Sequence, residues 1–499
     1  MLLTTAIVAL AGLWQLPVDA IPSPSFDITS LLSQKSNNWA EGTVISFPNS
    51  PTFVNSTTRW NTYDEPTYLA AVSPATEADV AKVVKLASAF NVPFLATGGR
   101  HGYTTTLGNL QKGLAIDLGQ FKSYSIDKAA GTLTVGGATT LHDFQDALYE
   151  AGYMIQSGSI SCPGYVGVTI GSGVGRFQGV FGLVADALVS ARLVTADGRV
   201  VEVSKTQNPD LFWGIRGAGA NLGVITSATY QAHKLVNQGQ MLNADLIFPA
   251  NKSKEYFDVL GSLSGKMPEK LAVITLVVYD PVAQAAQIIA NWVYIGPKDE
   301  GLRVLAPVLA LNPSVSNIQV VPWNKLVTVA AFGADALLCP RNQSHNTYWT
   351  TLRNLSSSTF QTTFEKVNTF YKQYPDGRAT TLNLETFPNQ ATLAVPDDSS
   401  PYPWRDALGH FQIGISTTSN NAANDPTAQA GDLLARQLRD GLAATSGYPE
   451  LTVYVNYAHG DEKLRQKYGE RKLPRLVGLK KKWDPRNVFR FNNDLPTQL

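Results

Sequence analysis

The stretch Thr97–Leu107, TGGRHGYTTTL, combines a histidine with three glycines. It places His101, one of only six histidines, beside Gly98, Gly99 and Gly102. Glycine leaves the backbone bare, so its N–H groups can approach a phosphate or a flat ring. An imidazole in such a loop can contact a cofactor ring or bond to it covalently. The alternative is a turn histidine that caps a backbone group, and this stretch alone does not decide between the two.

Two further glycine-rich stretches lie downstream. They are GVTIGSGVG at 167–175 and GAGANLG at 217–223. Three such loops in one module indicate a large ligand that runs along bare backbone, and a dinucleotide has the required size. Neither stretch has the G-x-G-x-x-G spacing of a Rossmann site, and no Walker G-x-x-x-x-G-K-[ST] motif occurs.

Composition limits the classes of partner. The chain has 499 residues, 44% hydrophobic and 16% charged, with a formal net charge of +1. This length predicts two domains or two lobes that share a cleft. The balanced charge argues against nucleic acid or an anionic membrane as partner and favours a small-molecule substrate. We expect a monomer without a metal site.

The N-terminus and the cysteines indicate the compartment. Residues 1–20, MLLTTAIVALAGLWQLPVDA, carry a short apolar run and a small-residue ending, which predicts a cleaved secretory signal rather than a membrane anchor. Four glycosylation tripeptides, at Asn55, Asn251, Asn342 and Asn354, agree with secretion. Only Cys162 and Cys339 are present, too few for a disulfide scaffold. Either they pair, or Cys162 is a small buried thiol.

Local patterns predict an α+β fold. Thr76 has the character of an N-cap before an apolar-periodic helix, and the strand VPFLAT then leads into the first glycine loop. Gly152 fits the end of a second helix, and Asp197-Gly198 fits a hairpin turn. From about residue 237 the glycines thin out, which predicts a second lobe with an antiparallel sheet and helices on one face.

Several separated motifs carry a family resemblance. They are ATGGRHGYTTTLG, GVTIGSGVG, DLFWGIRGAGANLGVIT, YVNYAHGDE and FRFNNDLP. In this order they resemble the FAD-linked oxidases of the vanillyl-alcohol-oxidase superfamily, especially secreted fungal members of its berberine-bridge-enzyme-like branch. The resemblance implies a PCMH-type FAD-binding domain at 58–235, a substrate-binding domain at 236–449, and a segment at 450–499 that returns to the FAD domain.

The resemblance also implies which residues bind FAD. In the family, the histidine of the first loop bonds to the flavin ring, which corresponds to His101 here. The implied cofactor residues are Thr97, Gly98, Gly99, Arg100, His101, Gly102, Leu107, Cys162, Val166, Gly167, Gly171, Gly175, Asp186, Gly223, Val224, Asn456 and Asn492.

Cys162 departs from the family pattern. Many relatives form a second flavin bond from a cysteine, but here Ile160 occupies the expected position and Cys162 lies two residues later. We therefore favour a single covalent bond through His101 over a second one through Cys162.

The expected reaction is hydride transfer from an alcohol, an amine or an activated C–H group to FAD, which dioxygen then reoxidises. Tyr103 and Glu385 are the candidate bases, each against a structural alternative as a packed or exposed residue. Tyr454 and Tyr457 are expected on a strand, on either side of Asn456. The rival hypotheses are a carbohydrate oxidase, a ring-closing biosynthetic enzyme with an apolar pocket, and a non-catalytic binding protein.

Overall fold

A computed structural model describes residues 28–417 and 425–499 of the chain. The described residues divide into two units, residues 28–37 and Asn38–Leu499. The described part of the first unit is a short helix followed by a 3-10 turn. The predicted signal at residues 1–20 lies outside the described residues.

The helices are short for a chain of this length, as its many glycines and prolines predict. In chain order they are α1 Ile28–Ser33, α2 Pro51–Thr57, α3 Glu77–Ala89, α4 Leu141–Glu150, α5 Tyr165–Ile170, α6 Gln178–Phe181, α7 Pro209–Ala218, α8 Ser253–Gly261, α9 Lys298–Leu309, α10 Trp323–Gly333, α11 Asp335–Leu338, α12 Ser357–Gln373, α13 Gln390–Ala394, α14 Pro426–Thr445, α15 Leu464–Tyr468 and α16 Leu473–Trp483. The 3-10 turns are Lys35–Asn37, Thr105–Asn109, Val184–Ala187, Gly219–Asn221, Val236–Gly239, Ala250–Lys252, Pro375–Gly377, Asp397–Ser399, Val455–Tyr457 and Glu470–Lys472. None of the helices in the described residues is both long and apolar enough to span a membrane.

A four-stranded sheet carries the first glycine loop. Its strands are β1 Val44–Ser46, β2 Tyr68–Ser73, β3 Phe94–Thr97 and β4 Gly113–Asp117, in the order β1-β2-β4-β3. The predicted cap of α3 is confirmed, since the Thr76 hydroxyl accepts a hydrogen bond from the backbone N–H of Asp79. The predicted strand after α3 is also confirmed, and β3 ends where the loop Thr97–Leu107 begins.

The next strands form a five-stranded antiparallel sheet and a two-stranded ribbon. They are β5 Tyr124–Asp127, β6 Thr132–Gly136, β7 Tyr153–Met154, β8 Leu188–Val194, β9 Val200–Ser204, β10 Val224–Gln231 and β11 His233–Lys234. The sheet order is β5-β6-β10-β8-β9, and β7 pairs with β11. The predicted hairpin turn between β8 and β9 is confirmed, with Gly198 at a positive φ of 79°.

The second lobe contains the predicted antiparallel sheet. Its strands are β12 Gln240–Pro249, β13 Leu271–Asp280, β14 Ala285–Tyr294, β15 Val315–Pro322, β16 Asn346–Leu352, β17 Thr381–Thr386 and β18 Gly409–Ile415, in the order β15-β12-β14-β13-β17-β18-β16. Alternate residues on one face pack on α8, α9, α12 and α14, which confirms the predicted arrangement. On the opposite face, α10 covers part of β12, β14 and β15, and residues of β13, β14, β16, β17 and β18 line a cavity.

Candidate active site

One cavity of about 700 Å³ brings the glycine loops and this opposite face of the lobe sheet together. This volume is within the range of about 300–1,000 Å³ for sites that bind small molecules and cofactors. Most of the predicted cofactor residues line it: Thr97, Gly98, Gly99, Arg100, His101, Gly102, Leu107, Val166, Gly167, Gly171, Gly223, Val224, Asn456 and Asn492. Both candidate bases, Tyr103 and Glu385, line the same cavity. The topology thus joins in space residues that are almost 400 positions apart in sequence.

The first loop needs glycine because its backbone packs against other backbone. A β-carbon at Gly98 would overlap the carbonyl oxygen of Gly137, and one at Gly99 would overlap the backbone nitrogen of Gly164. Gly102 is different, since its nearest neighbour would be the Arg59 guanidinium at 3.8 Å. Two of the three glycines therefore hold the loops together, and all three leave the cavity wall bare.

Asn456 fixes the second loop from the C-terminal segment. Its amide nitrogen donates to the carbonyl oxygens of Gly167 and Val168, both at 3.2 Å. A β-carbon at Gly171 would overlap the Asn456 side chain. The residue lies in the 3-10 turn Val455–Tyr457, so the prediction of a strand here was wrong.

His101 sits in an aromatic stack. Its ring lies 4.3 Å from that of Trp60, which also stacks on His345 at 4.6 Å. Burial lowers the pKa of His101 to about 3, and the guanidinium groups of Arg341 and Arg59 add to the effect. The imidazole is therefore neutral near pH 7, which leaves a nitrogen lone pair available for bonding.

Arg100 is turned away from a ligand-binding role. Its backbone φ of 56° is left-handed, and its guanidinium forms an ion pair with Asp117. It also donates to the carbonyl oxygens of Thr58 and Asn55, both at 3.1 Å. Arg100 thus anchors the loop, and only part of Arg100 lines the cavity.

Three predicted cofactor residues need correction. Cys162 forms a disulfide with Cys339, so its sulfur is not free to bond to flavin and the alternative of a second bond was wrong. Asp186 does not line the cavity, because its carboxylate pairs with buried Arg405 at 2.8 Å. Gly175 does not line it either: it packs against the backbone around Ser157, where a β-carbon would overlap the carbonyl oxygen.

The two candidate bases have different surroundings. Glu385 is 3% exposed, and its Oε2 accepts a hydrogen bond from the Tyr457 hydroxyl at 2.8 Å. Tyr103 packs against Trp349, and its hydroxyl has no hydrogen-bond partner of good geometry in the described chain. Burial and the nearby charge of Glu385 raise the pKa values of both Tyr103 and Tyr457 well above the usual range. The two tyrosines therefore differ in the hydrogen bond to Glu385, which Tyr457 makes and Tyr103 does not.

Tyr457 and Arg176 complete the surroundings of Glu385, and the sequence analysis did not identify these roles. Tyr457 stacks on Trp349 with ring centres 3.9 Å apart, which fixes its hydroxyl. Burial raises the pKa of Glu385, while the Tyr457 hydrogen bond and the charge of Arg176 oppose the rise. Burial also lowers the pKa of Arg176 to about 10, so it stays charged at neutral pH. The motif YVNYAHGDE contained Tyr457, but nothing local indicated that it would meet Glu385, 72 residues away.

The cavity thus combines loops of bare backbone, a neutral imidazole and the buried hydrogen bond between Tyr457 and Glu385. The FAD binding domain model matches residues 68–204, and the berberine and berberine-like model matches residues 453–496. The chain belongs to the berberine-bridge-enzyme-like family of FAD-linked oxidoreductases.

Full-length similarity supports this membership. The chain is 52% identical to the FAD-linked oxidoreductase fogF of Aspergillus ruber over 476 residues, 95% of each chain. Its fold is similar to that of BBE-like 1 of Physcomitrella patens, with a TM-score of 0.80 and 24% identity over 92% of this chain and 98% of the other. It is also similar to the glucooligosaccharide oxidase of Acremonium strictum, described with a 6-S-cysteinyl, 8α-N1-histidyl FAD. That match has a TM-score of 0.77 and 20% identity, over 91% of this chain and 97% of the other.

Proposed function

We propose that this protein is a FAD-dependent oxidase of an alcohol-bearing organic molecule. The observation that carries the proposal is the Tyr457–Glu385 hydrogen bond, buried in the cavity that the glycine loops also line. A buried carboxylate coupled to a phenol can take the proton of a substrate hydroxyl. Bound FAD would accept the hydride, with its two electrons, that leaves the substrate carbon, and dioxygen is the proposed final acceptor, giving hydrogen peroxide.

The residues present fit FAD. The cavity wall at Gly98, Gly99 and Gly102 is bare backbone, as the approach of a pyrophosphate requires. Gly223 and Val224 extend this wall to the start of β10. We propose that these positions hold the cofactor and that the neutral imidazole of His101 bonds covalently to its ring system. The bond would be single, because Cys162 is held in a disulfide.

Two residues share the proposed proton transfer. The hydroxyl of Tyr457 accepts the substrate proton as its own proton passes to Oε2 of Glu385, 2.8 Å away. The charge balance remains favourable because Arg176 stays positive beside the pair. Tyr103, packed beside Trp349, shapes the pocket in this proposal and does not act as the base.

The proposal also covers location and organisation. The Cys162–Cys339 disulfide supports passage through an oxidising compartment, in line with the expected secretion signal. We propose that residues 58–235 and 450–499 together form the FAD-binding part and 236–449 the substrate-binding part of a monomer. The family-model matches at 68–204 and 453–496 support the first of these.

Cofactor attachment gives the direct test. The purified protein should be yellow and should keep its flavin after acid precipitation, whereas His101→Ala should release it. The measurement is flavin absorbance of the pellet and supernatant. A colourless protein that binds no added FAD would contradict the proposed function, and a flavin that stays attached in His101→Ala would contradict attachment through His101.

A further inference from the structure

One straight row of side chains crosses the face of the lobe sheet that lines the cavity. Strand register places Leu276 of β13 opposite Ile289 of β14 on one side and opposite Asn383 of β17 on the other. Asn383 pairs in turn with Gln412 of β18, and Gln412 with Trp349 of β16. All five residues line the cavity. The row therefore spans five strands and forms its floor.

The floor is apolar at one end and polar at the other. Ile274, Leu276 and Val278 point to the cavity from alternate positions of β13, and Ile289 joins them from β14. At the other end, the Asn383 side-chain oxygen is buried and has no hydrogen-bond partner within the described chain. Glu385 lies two positions after Asn383 on β17 and lines the same cavity, so the proposed proton acceptor is next to Asn383 and opposite Ile274.

The charged groups on this side are already engaged. Arg176 donates to the Asn291 side chain and to the Ser159 carbonyl, both at 3.1 Å. The Asp335 carboxylate accepts from the backbone N–H of Ser161 at 2.8 Å and from its hydroxyl at 2.6 Å. The Nε of Arg176 is buried without a hydrogen-bond partner in the described chain, and the negative charges of Glu385, Asp245 and Asp335 offset the positive charge of Arg176. This side of the cavity therefore presents balanced charge to a substrate.

Exposed hydrophobic side chains of one short segment line the edge of the cavity. Phe332, Leu337 and Leu338 line the cavity and are 41%, 82% and 43% exposed. The disulfide from Cys339 to Cys162 holds this segment beside the His101 loop. Exposed apolar surface at the rim of a pocket is typical of sites that admit apolar ligands.

From this floor and this opening we infer that the substrate is an uncharged lipophilic alcohol, with its hydroxyl at the Tyr457–Glu385 pair and a hydrocarbon body along Ile274, Leu276, Val278 and Ile289. An oligosaccharide would bury its hydroxyls against these aliphatic side chains without hydrogen bonds, which is unfavourable. The glucooligosaccharide oxidase thus shares the fold with this chain and differs in substrate class.

The inference rests on the proposed function, and the reaction balances within it. The alcohol carbon loses a hydride, the oxygen loses a proton to Tyr457 and Glu385, and the product is an aldehyde or ketone. The two electrons pass through FAD to dioxygen, which leaves as hydrogen peroxide.

A homologous series of 4-alkylbenzyl alcohols, from methyl to heptyl, tests this substrate class, with cellobiose as the polar comparison. Binding to the flavin-loaded enzyme is measured by tryptophan fluorescence, and flavin reduction by anaerobic absorbance. Because each buried methylene adds hydrophobic transfer energy, we expect Kd to fall about two- to fourfold per added carbon. Cellobiose should neither bind nor reduce the flavin.

Two variants test whether the hydrocarbon body of the substrate contacts the aliphatic side chains of β13. Val278→Thr has nearly the same shape but adds a hydroxyl, and Leu276→Asn makes the centre of the floor polar. Both should flatten the chain-length dependence and raise KM for the heptyl compound, with a smaller effect on kcat. Val282→Asn is the matched control, because Val282 is 92% exposed in the β13–β14 turn. If Leu276→Asn does not fold, the milder Val278→Thr still gives the answer.

The outcomes separate the two proposals. Equal affinities along the series, or no binding by any of its members, would overturn the lipophilic-substrate inference. Reduction of the flavin by cellobiose alone would also overturn it and would leave the oxidase proposal intact. Chain-length-dependent binding without any flavin reduction would support the substrate class and contradict the alcohol oxidase.

Discussion

The two walls of the cavity are built in different ways. The proposed flavin side is made of short loops whose backbones pack on one another, with Gly98 against Gly137 and Gly99 against Gly164. The proposed substrate side is made of side chains on five strands of one sheet, from Ile289 to Trp349. A wall of backbone offers the same N–H and carbonyl groups whichever side chains lie nearby. A wall of side chains can change one residue at a time, so under the proposed function the choice of substrate would depend on this side.

The largest effect is expected from substitution of Glu385 or Tyr457 in the side-chain wall. Glu385→Gln and Tyr457→Phe should each retain flavin and slow its anaerobic reduction by about 10²–10⁴-fold, because each removes one part of the proton acceptor. The measurement is stopped-flow absorbance with the 4-alkylbenzyl alcohol that reduces the wild-type flavin fastest.

Tyr103→Phe is the matched control for this experiment. Its hydroxyl has no hydrogen-bond partner in the described chain, so its loss should change the rate only a few-fold. A slow Tyr103→Phe beside a normal Tyr457→Phe would reverse the assignment of the two tyrosines.

The next largest effect is expected from removal of the Cys162–Cys339 disulfide. Cys162 and Cys339 close a loop with a sequence separation of 177 residues. Cys339→Ser should lower the free energy of unfolding by about 2–5 kcal/mol, since the cross-link restricts the unfolded chain. Denaturant unfolding of the variant, compared with wild type with and without dithiothreitol, measures this. Equal stability of all three samples would show that the bridge does not form.

Substitution of glycines in the backbone wall should have a smaller effect, and its size should depend on which glycine is replaced. Gly99→Ala should cost about 1–3 kcal/mol and release flavin more readily, because its β-carbon would overlap the backbone of Gly164. Gly102→Ala should be close to wild type, since no atom lies closer than 3.8 Å to its added carbon. If Gly102→Ala loses as much flavin as Gly99→Ala, the bare backbone serves the cofactor directly and not the packing of the loops.

The contrast between local signals and long-range contacts explains which features of the fold and the site could be predicted from the sequence. The glycine loops, the Thr76 cap and the thinning of glycines after about residue 237 are local signals. The cap of α3 and the lobe sheet that they predicted are confirmed, and the FAD-binding residues remain a prediction. Apart from the strand predicted around Asn456, which is a 3-10 turn, the failures concern long-range partners. Asp186 carried a plausible cofactor assignment until Arg405, 219 residues away, proved to be its partner. Likewise, no spacing rule joins Tyr457 to Glu385 or Cys162 to Cys339.

The pH dependence of kcat/KM tests the proton-accepting role of Glu385 in the buried Tyr457–Glu385 pair. Burial raises the pKa of Glu385 above the 4.5 of a solvated glutamate, so its ionised form is lost at a higher pH than usual as the solution is acidified. Because only the ionised form can take up the proton, kcat/KM should fall on the acid side with an apparent pKa above 4.5. In Glu385→Gln this acid limb should disappear from the residual rate. An acid limb that persists unchanged in that variant would assign it to another group and remove Glu385 from the proton path.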